Sequence, residues 1–87
     1  EAVKVAHMAH AFNLPIANGG AWPHHNLHLQ AAVPNGTRVE FHLLAWLVGD
    51  ALFKSPPTHD HGWVVAPDQP GLGLDVNEET LKETKVA

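Results

Sequence analysis

The sequence has 87 residues and no cysteine, so neither a disulfide nor a thiolate-bound metal can stabilise the fold. The lack of cysteine is typical of a reducing compartment, and we expect a cytoplasmic protein. Only five lysines and arginines are present and the net charge is −4, which argues against a nucleic-acid-binding surface. No apolar run approaches the roughly 18 residues of a membrane-spanning helix. We therefore expect no membrane span, and no signal peptide.

The residues that are present indicate a folded domain. Apolar residues make up 45% of the chain, which is too high a fraction for a disordered segment. A domain of this size buries a modest core and is marginally stable unless it associates with something else. The unusual feature is histidine, of which there are eight, and any interpretation of the sequence has to account for them.

The hydrophobic pattern predicts helices that alternate with short strands. In order, we predict a helix over residues 2–12, a strand over 14–17, a helix from Pro23 or His24 to the turn at 34–36, a strand over 37–43 and a helix or turn over 44–53. Such alternation implies parallel strands joined by right-handed crossovers. Parallel sheets are covered on both faces and rarely small, so something else should cover these two strands.

The last third of the chain is predicted to be mostly irregular. We expect a polar turn over residues 59–62 and a third short strand over 63–66. The segment 67–73 is too rich in proline and glycine to be helical. Asn77 is a suitable cap for a last helix over 78–86, with acidic residues in its first turn and lysines later.

Four segments occur in an order that resembles the end of a known catalytic domain. They are Leu14-Pro15-Ile16-Ala17-Asn18, His28-Leu29-Gln30-Ala31-Ala32-Val33-Pro34-Asn35, Val39-Glu40-Phe41 and Pro67-Asp68-Gln69-Pro70-Gly71-Leu72-Gly73-Leu74. Together they resemble the mandelate racemase and muconate-lactonizing branch of the enolase superfamily, as its seventh strand, seventh helix, eighth strand and C-terminal tail. The last segment, preceded by Gly62-Trp63-Val64-Val65, is the most specific.

The resemblance implies an α/β fold, namely the C-terminal fragment of a (β/α)₈ TIM barrel of roughly 250 residues. Residues 1–66 would be the last βα units of the barrel, and residues 67–87 a tail and helix returning towards a capping domain. The remainder of the barrel, or a companion chain, would then be the main partner. We also expect the full-length protein to be a homo-oligomer.

The resemblance also implies a Mg²⁺-dependent enzyme that removes the proton next to a carboxylate, as an acid-sugar dehydratase or racemase-like enzyme acting on a small carboxylate substrate. In the family the Mg²⁺ ligands and the lysine base lie on earlier strands. None of them is in this chain, so we assign no metal ligand here. For the same reason we expect the isolated chain to be inactive.

Glu40 matches the eighth-strand glutamate, which in the family hydrogen-bonds the substrate carboxylate. That role requires a protonated carboxyl group, which burial would promote. The racemase-like members place a histidine base at the end of the seventh strand, but residues 18–22 here contain none. This absence favours dehydration over racemisation. We predict these site residues: Glu40 and His24 as catalytic, and Asn18, Gly20, Trp22 and His25 as substrate contacts.

Two alternative functions, from other classes of protein, stay open. One is a small His-rich metal-binding protein that uses His24, His28 and either His59 or His61; His24 and His28 would share a helical face. His25 stands where a metal-binding HExxH helix needs glutamate, and no third ligand is indicated. The other is a non-catalytic association module. A metal-binding monomer should gain stability from Zn²⁺ or Ni²⁺, whereas a barrel fragment should expose strand edges and associate.

Overall fold

The structure is a computed structural model that describes residues 1–20 and 23–86. Its elements in chain order are α1 (Ala2–Ala11), β1 (Ile16–Asn18), α2 (Pro23–Ala32), β2 (Gly36–Val39), α3 (Leu43–Leu52), β3 (His59–Asp60), β4 (Trp63–Val64) and α4 (Glu78–Glu83). The predicted alternation of helices and strands is confirmed. Within the described ranges no helix has the length and apolar character needed to cross a membrane.

Strands β1 and β2 pair in parallel, as the sequence predicted. Ala17 lies opposite Arg38 and Asn18 lies opposite Val39. Helix α2 connects the two strands and packs against both. Ala17 and Arg38 are exposed, so the sheet face that carries them is uncovered. The described residues form a mixed α/β unit and do not close into a barrel.

Strand β2 is shorter than predicted, because it ends at Val39 and not at Leu43. Asn18, the last residue of β1, pairs with Val39. No β1 backbone remains to pair with residues 40–43, and a strand without a partner cannot complete its backbone hydrogen bonds. The predicted helix α3 begins at Leu43 instead.

The predicted third strand over residues 63–66 is a two-residue strand in an antiparallel hairpin with β3, and not part of the parallel sheet. The turn between β3 and β4 is made by His61 and Gly62, which both have positive φ, 47° and 82°. Two central residues with positive φ are typical of the tight turns that match the twist of a hairpin. The polar turn predicted over 59–62 is therefore half strand and half turn.

The segment after residue 66 is irregular, as predicted, and it is attached to the helices by hydrogen bonds. The Lys54 N–H donates to Asp75 O and the Asn77 N–H donates to Leu52 O. Asn77 caps α4 by accepting bonds from two backbone N–H groups, which confirms its predicted role. The helix itself ends at Glu83, three residues before the predicted end.

The core is small for the size of the chain. Among the described residues the buried apolar side chains are those of Ala6, Leu27 and Val33 and the prolines Pro23 and Pro57. Large apolar side chains such as Phe12 and Trp63 are more than three-quarters exposed. The accessible surface is 6530 Å², against about 5000 Å² for a compact monomer of 9.4 kDa. The excess of about 1500 Å² is about twice the area that one partner buries in a standard protein–protein interface, which is about 800 Å². Further protein is therefore expected to cover this surface.

Candidate functional site

Glu40 follows β2 directly, at the edge where the carboxyl ends of both parallel strands meet. The Gly20 N–H donates a hydrogen bond to Glu40 Oε2 over 2.7 Å. A Cβ atom at Gly19 would lie only 3.1 Å from the same oxygen, so a larger residue would crowd the carboxylate. In α/β folds with parallel strands, ligands bind at this edge. The structure thus brings together the predicted residues Glu40 and Gly20 at a suitable place for a site.

The Glu40 side chain is exposed, so the described residues do not supply the burial that its predicted role would call for. The physical reason is that the sheet face with Ala17 and Arg38 is uncovered in this chain. Any burial of Glu40 would have to come from protein outside the described residues.

Gln30 contributes to the site and was not predicted. It lies on the inner side of α2 and is only 8% exposed. Its Nε2 donates to Asn18 Oδ1 over 2.6 Å, and its Oε1 accepts the Thr37 N–H over 3.0 Å. The side-chain oxygen of Asn18 therefore accepts a hydrogen bond within the fold. The signal in the sequence was that Gln30 lies one helical turn after the apolar residue Leu27, on the same face of α2.

His24 is in the first turn of α2, and its completely buried side chain packs against α3. Its ring centroid is 5.3 Å from that of Phe53, and Gly49 of α3 lies directly against the ring. Burial is the main cause that lowers the pKa of His24 from 6.5; His25 lowers it further and Asp50 partly opposes the shift. A substrate could reach this ring only if α3 moved away. The predicted catalytic role of His24 therefore stays a prediction.

Gly20, His25 and Trp22 were also predicted to contact the substrate. Gly20 has φ +117°, a backbone conformation that favours glycine, and its N–H is used by Glu40. His25 is exposed on α2. Trp22 lies outside the described residues. The roles of these residues as substrate contacts stay predictions.

The histidines proposed for a metal site make separate contacts. His28 Nε2 donates to Leu72 O over 2.9 Å, which attaches the tail to α2. The His59 ring packs edge-on against Phe41, and His61 Nδ1 lies beside an Asp60 oxygen. In the part of the chain that the structure describes, no group of three or more His, Asp or Glu side chains could hold a metal ion. The described residues therefore do not fit a magnesium site.

A parallel β–α–β unit with a carboxylate at the carboxyl ends of its strands is typical of the catalytic domain of an α/β enzyme. The chain belongs to the family described as "Enolase C-terminal domain-like", which matches residues 1–80. It is 34% identical over 89 residues to the "Arabinonate dehydratase" of Saccharolobus solfataricus. That alignment covers 98% of this chain and 24% of the relative, so the chain spans about a quarter of the relative's length. No solved structure matches the chain significantly. The resemblance to the enolase superfamily is confirmed.

Proposed function

We propose that this chain is the C-terminal part of a barrel enzyme that dehydrates sugar acids. Membership of the enolase C-terminal domain-like family supports this proposal, as does the similarity to a protein named arabinonate dehydratase. In the proposed enzyme β1 and β2 are two neighbouring strands of a (β/α)₈ barrel. The remaining strands would cover the face with Ala17 and Arg38 and would bury Glu40.

The observation that carries the proposal is the position of Glu40. It follows a parallel strand at the carboxyl edge of the sheet, and the Gly20 N–H holds one of its oxygens. Active sites of (β/α)₈ enzymes lie at this edge. A carboxyl group fixed in this way can face a substrate bound at the carboxyl edge of the sheet.

The chemistry assigned to Glu40 follows from the charge that the reaction creates. Removal of the proton next to a carboxylate spreads negative charge onto the carboxylate oxygens, and a hydrogen bond donated to those oxygens stabilises it. Because Glu40 Oε2 already accepts the Gly20 N–H, the proton shared with the substrate would lie on Oε1. Loss of the hydroxyl group from the neighbouring carbon as water completes the dehydration. Racemisation would need a base on each face, and residues 18–22 include no histidine.

We include magnesium in the proposal because enzymes of the enolase superfamily use it, and not because of any residue in this chain. Since the described residues do not fit a magnesium site, we place its ligands and the base on parts of the enzyme outside this chain. We assign no step to a metal here. Assembly with the missing strands, and a homo-oligomeric full-length enzyme, complete the proposal.

The test uses the complete enzyme that contains these residues and a panel of sugar acids that includes arabinonate. Replacing Glu40 by Leu removes the donor, and turnover should fall by about 100- to 1000-fold. Glu40→Gln keeps an N–H donor that is a much weaker acid, so it should still lower turnover sharply. Glu83→Gln changes an exposed carboxylate of α4 and is the matched control. Unchanged turnover in both Glu40 variants would remove Glu40 from the mechanism.

A further inference from the structure

Gln30 is a buried polar residue that uses both ends of its side-chain amide. The nitrogen donates to Asn18 Oδ1 and the oxygen accepts the Thr37 N–H. A Cβ atom at Gly36 would overlap the Gln30 carbonyl oxygen, so glycine is needed there for β2 to begin so close to α2. The amide is therefore held between the helix and both strands.

The two bonds reach the two segments that lead to the Glu40 carboxylate. Asn18 is the last residue of β1, and Gly20, the donor to Glu40, follows two residues later. Thr37 lies in β2, three residues before Glu40, and its Oγ1 also donates to Ile16 O over 2.9 Å. Gln30 thus connects the loop that supplies the hydrogen bond to the strand that carries its acceptor.

We propose that Gln30, acting through Asn18, is a positioning residue that sets the Gly19–Gly20 loop so that the Gly20 N–H meets the Glu40 carboxylate. The effect of this on turnover rests on the proposed function of Glu40. A buried amide that loses a partner pays for desolvation without compensation, so Gln30 has a strong preference for this one arrangement. Misplacement of a reacting group by about 1 Å can lower a rate by about 100-fold.

The experiment compares four variants of the complete enzyme. Gln30→Met removes both amide bonds with little change in side-chain length. Asn18→Leu removes only the bond to Asn18, and it keeps the inference testable if Gln30→Met fails to fold. Asn18→Asp keeps an acceptor for Gln30 Nε2 and is the conservative rescue. Gln69→Met, at an exposed position in the tail, is the matched control.

The direct readout is the amide resonance of Gly20. Glycine labelled with ¹³C and ¹⁵N restricts the spectrum to glycines that follow another glycine, which in the 87-residue sequence is Gly20 alone. The peak that disappears on Gly19→Ala is that of Gly20. An amide proton bound to a carboxylate resonates downfield, and Glu40→Leu gives the position of the free amide. A purely structural role of Gln30 would lower the melting temperature and leave this resonance where it is.

We expect Gln30→Met and Asn18→Leu to move the Gly20 peak towards its position in Glu40→Leu. Turnover should fall by about 10- to 100-fold in the same two variants. Asn18→Asp should keep the peak position, because it keeps the acceptor for Gln30 Nε2, and Gln69→Met should keep both the peak position and the turnover. A peak that stays at the parental position in both disruptive variants overturns the inference. If the Glu40 variants keep full turnover, the proposed function fails, while the Gly20 peak still decides whether Gln30 positions the loop.

Discussion

Gly49 is the residue of α3 that lies against the buried ring of His24, and replacing it by alanine should destabilise the protein. A Cβ atom at Gly49 would overlap three atoms of the ring and would lie more than 1 Å inside the ordinary contact distance of 3.4 Å for two of them, Cε1 and Nε2. The ring cannot move into solvent, because His24 is completely buried and also packs against Phe53. The helices α2 and α3 would have to separate.

Two opposing effects determine how much Gly49→Ala changes the free energy of unfolding. Overpacking a close helix contact costs about 1–3 kcal/mol, and an overlap this deep belongs in the upper half of that range. Alanine stabilises a helix interior by about 1 kcal/mol relative to glycine. The net loss for Gly49→Ala is therefore about 1–2 kcal/mol. In a His24→Ala background the overlap disappears, so the same substitution should stabilise by up to about 1 kcal/mol.

The assay is a double-mutant cycle on the complete enzyme, with unfolding followed by heat and by urea for the parent, both single variants and the double variant. We expect Gly49→Ala to lower the melting temperature by a few degrees in the parent and to raise it slightly in the His24→Ala background. A change of the same sign and size in both backgrounds would refute the packing of Gly49 against His24.

Two further predictions concern acid stability and association. Burial and His25 lower the pKa of His24 in the folded protein below 6.5. As the pH falls below 6.5, the unfolded state therefore takes up a proton on His24 before the folded state does. The free energy of unfolding should be unaffected by His24 above pH 6.5 and should decrease as the pH falls from 6.5 towards the pKa of His24 in the folded protein. The urea midpoint should lose this pH dependence in His24→Leu and keep it in the exposed control His10→Gln; the same slope in His24→Leu contradicts the reasoning. The 87-residue chain alone should associate and bind a hydrophobic dye, because it exposes about 1500 Å² more than a compact monomer. A dye-free species of 9.4 kDa by light scattering would count against this.

Features that depend on neighbouring residues in the chain were predictable. The helical spacing in residues 2–12, the capping by Asn77 and the irregular Pro/Gly-rich tail are all confirmed. The parallel arrangement of β1 and β2 was also predictable, because a helix between two strands leaves few other topologies.

Features that depend on distant partners were predicted less well. The end of β2 is set by the length of β1, which lies about 20 residues earlier in the chain. The approach of Gly49 to His24 joins residues 25 positions apart. None of these pairings leaves a local pattern that periodicity could detect.

The candidate site also has some features that could be predicted from neighbouring residues and others that depend on distant partners. Hydrophobic alternation placed Glu40 in the second predicted strand, over residues 37–43, and the glycines placed a loop after the first strand, because both are local patterns. The packing of the chain brings the Gly20 N–H to the Glu40 carboxylate, places Gln30 against Asn18 and buries His24, and no local pattern indicates these contacts. A hydrogen bond depends on distances of a few tenths of an ångström between atoms far apart in the chain, and those distances exist only once helix α2 has packed against both strands.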